Sequence, residues 1–100
     1  MIDTPNVTWT VYVDDNFHFM DESERYRLGS FDQLEDAVSA CRDVVDAFLR
    51  DNTAKTAKDL FESYVAFGDD PWIKSSEPDR YQAHFSAWDY ARTRCEELRG

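Results

Sequence analysis

Two acidic pairs with matching surroundings mark where this chain could do chemistry: Asp14-Asp15-Asn16-Phe17 and Asp69-Asp70-Pro71-Trp72. Each follows an apolar, strand-prone run and ends on an aromatic residue. Hard divalent cations take several carboxylate or carbonyl oxygens from loops. Asp14, Asp15, Asp69 and Asp70, brought together, would therefore suit Mg²⁺ or Ca²⁺ and a metal-dependent phosphoryl chemistry. The spacing is not that of an EF-hand: counted from Asp14, the sixth position is Phe19 rather than Gly and the twelfth is Arg25 rather than Glu. Asp also favours turns through its own side-chain hydrogen bonds, which accounts for both pairs without a metal.

His18 lies between Phe17 and Phe19 and close to Asp14 and Asp15. A carboxylate-oriented imidazole is the commonest general base. No nucleophile accompanies it. The chain contains no GxSxG, no HExxH and no Gly-rich phosphate loop, and glycine occurs only three times in all. His18, His84, Cys41 and Cys95 match a zinc set by residue type, but no two have local ligand spacing. No cofactor is expected.

The aromatic residues carry more information. Tyr12, Phe17, Phe19, Tyr64, Trp72, Tyr81 and Tyr90 exceed what two helical stripes and one strand face require. Aromatic anchors, Tyr and Trp above all, are enriched at binding hot spots, so Tyr12, Phe17, His18, Phe19 and Trp72 are the candidate partner-binding residues. The formal net charge of −10, from 21 acids against 11 bases, repels nucleic acid and anionic membrane surfaces. Another protein is the expected partner, with the oligomeric state left open. A second reading of the same charge is an acidic decoy that occupies the basic groove of a nucleic-acid-binding protein. Its densest patch would be Asp14, Asp15, Asp21, Glu22 and Glu24.

The elements that position these residues follow from periodicity. Val7, Trp9, Val11 and Val13 alternate with Thr8, Thr10, Tyr12 and Asp14, the pattern of a half-buried strand. Tyr26 and Leu28 alternate with Arg25 and Arg27, giving a second strand that Gly29 ends. Between Gly29 and Arg50, Leu34, Ala37, Val38, Cys41, Val44, Val45, Phe48 and Leu49 recur at three- and four-residue steps. This is the long helix around which the domain is built, with Asp32 and Glu35 as an expected capping box. Residues 51–61 read as a loop with room for one helical turn, and Tyr64–Phe67 as a third strand closed by the turn Gly68-Asp69-Asp70-Pro71. A last helix starts at Ser86, with Asp89 completing its box and Phe85 and Tyr90 in staple positions.

The predicted order is β-β-α-β-α: one α+β domain over residues 1–100, a small, mainly antiparallel three-stranded sheet with two helices on one face. In that topology the two acidic pairs lie at opposite edges of the sheet unless residues 51–61 contain a further reversal. The N-terminus, MIDTPNVTW, has neither a basic nor an apolar run, so no export signal is expected. Cys41 and Cys95, without CxxC spacing, are expected as reduced thiols in a cytoplasm.

The segments VYVDDNFHF, GSFDQLEDAVSAC, YVAFGDDPWI and FSAWDYARTRC resemble small uncharacterised bacterial proteins of about this length. The resemblance spans Trp9 to Cys95, and FSAWDYA is its most distinctive part. It implies a bacterial or bacterial-virus origin and a single domain. It implies no activity, so no catalytic residue is carried over. The expected function is a non-enzymatic protein-binding domain, with the acidic decoy and the metal-dependent enzyme as alternatives.

Overall fold

The computed structural model describes residues 7–18 and 25–100. Phe19, Asp21, Glu22, Glu24 and the side chain of His18 lie outside the described residues. The elements are β1 (Trp9–Asp15), a 3-10 turn (Asn16–His18), β2 (Tyr26–Phe31), α1 (Leu34–Asp51), α2 (Ala57–Phe67), β3 (Asp69–Ser75) and α3 (Ala87–Arg99). The three strands make one antiparallel sheet in the order β2-β1-β3. The fold is α+β.

β1 is the central strand, and its alternation has the expected consequence. Trp9, Val11 and Val13 are buried, while Thr10 and Tyr12 between them are only partly covered. α1 closes this face with Ala37 and Cys41, which join Val7, Trp9, Val11 and Val13 in one apolar cluster. One turn further along, Val45 and Leu49 of the same helix meet Leu60 and Tyr64 of α2 and Ala87, Ala91 and Cys95 of α3. α1 thus belongs to both halves of the core. Each fully buried Val or Leu in it contributes about 1.5–3 kcal/mol. The helix begins at Gln33, whose side chain makes no capping bond, so the box expected at Asp32 and Glu35 does not form. Glu35 and Asp36 still lie in the first turn, where carboxylates favour the positive end of the helix dipole. α3 starts as expected, with the Asp89 N–H donating to Ser86 Oγ at 3.2 Å and the Phe85 and Tyr90 rings 6.2 Å apart.

The third strand is displaced from its expected place. Tyr64–Phe67, read as β3, is the last turn of α2, and the strand is Asp69–Ser75, which includes the supposed turn. Two physical facts explain this. Leu60 and Tyr64, four residues apart, are both fully buried, and the Asp59 N–H bonds to Thr56 Oγ1 at 3.1 Å, so a capped helix outweighs the strand propensity of the Tyr-Val-Ala-Phe run. Pro71 is admitted to β3 because that strand lies at the sheet edge, where one missing N–H does not interrupt the interior ladder. β2 also runs on through Gly29 to Phe31, with an irregularity opposite Val11 and Tyr12.

Candidate functional site

The shift of β3 by a few residues changes which residues meet. A strand ending before Asp69 would carry the second acidic pair away from the first. A strand that begins at Asp69 lays it against the end of β1. Asp15 pairs with Asp69, Asp14 with Asp70, Val13 with Pro71 and Tyr12 with Trp72. This overturns the expectation that the two acidic pairs lie at opposite edges. The alignment runs on past the strands: the Asn16 N–H donates to the Gly68 carbonyl at 3.0 Å, and the Phe17 and Phe67 rings stack with centroids 5.5 Å apart. From the tip inward, the order is a stacked aromatic pair, Asn16 with Gly68, two acidic rungs, Val13 with Pro71, and a second stacked aromatic pair.

That second pair, Tyr12 on Trp72, has ring centroids 5.0 Å apart. The Arg25 guanidinium lies 5.1 Å over the Trp72 ring and grips Asp14 with two bonds, Nε to Oδ1 at 2.6 Å and Nη2 to Oδ2 at 3.2 Å. A planar cation held between a carboxylate fork and an aromatic face is a favourable arrangement. Among the described residues no base pairs with Asp69 or Asp70. Burial, and then the neighbouring Asp14, push the Asp70 carboxyl up to about 6. Burial, and then Asp15, raise that of Asp69. Strand alternation sends the Asp14 and Asp70 side chains to one face of the sheet and those of Asp15 and Asp69 to the other. Among the described residues no group of three or more His, Cys, Asp or Glu could hold a metal ion.

The tip is fixed from beneath. Tyr64 is fully buried, and its hydroxyl donates to the Asp69 carbonyl at 2.7 Å. Asn16, also buried, donates from Nδ2 to the Tyr64 carbonyl at 2.9 Å and receives Trp88 Nε1 at 3.4 Å. Phe17 and Phe67 stand outside this network, 62% and 61% exposed. The Phe17 N–H donates to Asp15 Oδ1 at 2.9 Å, which sets the backbone that carries the ring.

Of the expected binding residues, Tyr12 and Trp72 come together and Phe17 reaches the surface. Phe67 and Arg25 are not among the expected binding residues: Phe67 falls in the expected third strand, and nothing in the spacing of Arg25 shows that it reaches Asp14. Of the other aromatics, Tyr64 lies in the core and Tyr90 makes hydrogen bonds to both oxygens of Asp46 at 3.0 Å, while Tyr81 is exposed. Cys41 and Cys95 are free, and they are buried in different clusters, while His84 is exposed, so this zinc set is not assembled. On the far side of Trp72, β3 and the following segment border an open groove of about 270 Å³ lined by Trp72, Lys74, Pro78 and Gln82 among others. Trp72 Nε1 is buried and finds no acceptor among the described residues. No helix among the described residues is long and apolar enough to cross a membrane. No protein-family model, curated protein or solved structure matches this chain.

Proposed function

We propose that this chain is a small, acidic, non-enzymatic protein-binding domain of the bacterial cytoplasm, and that the ladder tip carried by Phe17 and Phe67 is its contact surface. One observation carries the reading. Two phenyl rings stack on each other with most of their surface in water, on backbone held by the Asn16–Gly68 bond. Folding gains little from rings left so exposed. A partner that covers them gains about 25 cal/mol for each Å² of apolar surface removed from water. It also meets a rigid anchor, which lowers the ordering cost of binding.

The test is capture of a partner from bacterial lysate at low and high salt, with the Phe17→Ala/Phe67→Ala double variant as control. A partner retained by the native chain at both salts and lost by the variant supports the reading. Retention by both proteins removes the two rings from the interface. A basic partner released by salt and indifferent to the variant would favour the decoy, because screening weakens charge contacts and leaves apolar ones largely intact.

A further inference from the structure

We infer that the open edge of β2 is a self-association surface. Two copies of this chain pair their β2 strands antiparallel about a two-fold axis, and their sheets join into one of six strands. This surface is distinct from the Phe17–Phe67 tip and serves a second copy rather than the partner proposed above.

Backbone phase shows which groups that edge offers. The Asn16 N–H bonds the Gly68 carbonyl at 3.0 Å and the Ser76 N–H bonds the Thr8 carbonyl at 2.9 Å, both in the register of the β1–β3 ladder. Antiparallel bonds alternate, so Thr10, Tyr12 and Asp14 turn their main-chain groups to β3, and Trp9, Val11 and Val13 turn theirs to β2. Phe31, Gly29 and Tyr26 stand opposite these on β2, which leaves the N–H and C=O of Leu28 and Ser30 pointing away from the sheet. The other edge is blunted: in β3, Pro71 has no N–H and Lys74 is exposed. β2 has neither residue type, and its Tyr26 and Leu28 are 48% and 42% exposed. Pairing Leu28 of each copy with Ser30 of the other makes four main-chain bonds and sets Gly29, without a side chain, on the axis. The two Leu28 side chains then stand diagonally about 7–8 Å apart, near enough to touch.

Charge complementarity selects the second copy. Arg27 lies near the start of β2, and Asp32 follows its last residue, Phe31. Both are exposed, and neither has an ion-pair partner among the described residues. Antiparallel pairing lays the Arg27 end of each strand beside the Asp32 end of the other, twice by symmetry. The formal charge of −10 on each chain opposes association, but at physiological salt it is screened over about 8 Å, and these charges meet at closer range.

The experiment measures mass by sedimentation equilibrium at physiological salt, from about 10 µM to about 1 mM chain, because association follows mass action. The native chain is expected to pass from 11.7 kDa toward twice that mass, with a Kd on the order of 100 µM for so short an interface. Arg27→Glu, Asp32→Arg and the two together are compared with it, and a thermal midpoint near the native one verifies that each folds. Each single change weakens association about tenfold or more by setting like charges side by side, and the double change restores it. Asp32→Arg is the sharper arm: it brings the formal charge from −10 to −8, so overall repulsion falls while association is lost. A native chain that stays monomeric throughout overturns the inference. So does a dimer that survives both single changes, which would lie on another surface, or one that the double change fails to restore.

Discussion

Asp14 and Asp70 stand directly opposite each other on adjacent antiparallel strands, and the Arg25 guanidinium, which lies over the Trp72 ring, bonds Asp14. Asp70 is left with the cost of burial and of its neighbour's charge, which together push its carboxyl from 3.8 to about 6. The sign follows directly. The folded chain binds this proton more tightly than the unfolded chain does. Between about pH 4 and 6 folding therefore takes up a proton, and this group's contribution to stability rises as the pH falls through that window.

Above that window the ionised carboxylate opposes the fold. Asp70→Asn keeps the side chain's size and removes the charge, so it stabilises the chain at pH 7.5. The gain is about 1 kcal/mol once solvent screening of a partly exposed group is discounted, or about 5 °C in the thermal midpoint. The difference narrows toward pH 4, where the native carboxyl is itself protonated. Thermal melts of both proteins from pH 4 to 8 measure it. Curves that stay parallel across that range would show that Asp70 titrates normally.

Gly68 joins α2 to β3 at the point where Tyr64 passes beneath. Its φ of −77° is ordinary for any residue, so the requirement for glycine is one of space. A Cβ at this position would lie 2.8 Å from Tyr64 Cε1 and 2.8 Å from the Tyr64 carbonyl oxygen. Gly68→Ala therefore forces the buried ring or the ladder end to move, at about 1–3 kcal/mol by denaturant midpoint. Gly29 is the internal control. A Cβ there meets nothing closer than the Phe31 ring at 3.8 Å, so Gly29→Ala costs much less.

The parts of the fold that were legible in the sequence are those where one signal stood alone. β1, α1 and α3 each had a clean period or cap. β3 was misplaced because two signals competed over residues 56–71. The β-prone run Tyr64-Val65-Ala66-Phe67 masked the Leu60–Tyr64 helical pair and the Thr56 cap, and Gly68-Asp69-Asp70-Pro71 imitates a turn. That misplacement hid the site as well. The acidic pairs and the aromatics were visible as residue types, but their meeting depends on register, and register depends on where β3 begins. Arg25 and Phe67 could not be found without it.

The thiols test whether the two core clusters stay closed. Cys41 is fully buried, and burial followed by the nearby Asp70 pushes its thiol up to about 12. Cys95 is buried too and raised, by burial and then Glu96. Only the thiolate reacts, so both should resist iodoacetamide at pH 8 and be labelled no faster than the chain opens. Labelling followed by mass spectrometry across a urea series checks this. Rapid modification of Cys41 in the absence of urea would mean that α1 separates from the sheet far more readily than its packing implies.

Asn16 links the ladder tip to the core, which makes it the most informative single position to change. Its Nδ2 donates to the Tyr64 carbonyl and its Oδ1 receives Trp88 Nε1. Asn16→Ala leaves Trp88 Nε1 without its acceptor and the Tyr64 carbonyl with the Gly68 N–H alone, at about 1–3 kcal/mol. Asn16→Asp has nearly the same shape, but at neutral pH it puts a carboxylate against a carbonyl oxygen and next to Asp15 and Asp69. It should therefore cost more than alanine at pH 7.5, although it deletes no atoms from the packing. Protonation gives the new carboxyl a hydrogen to donate to Tyr64, so the penalty should shrink by pH 5. Urea midpoints for the native chain and both variants at the two pH values separate the contributions. If the Asp variant were less damaging than Ala at both, the tip would be held by packing, and the hydrogen bond to Tyr64 would contribute little.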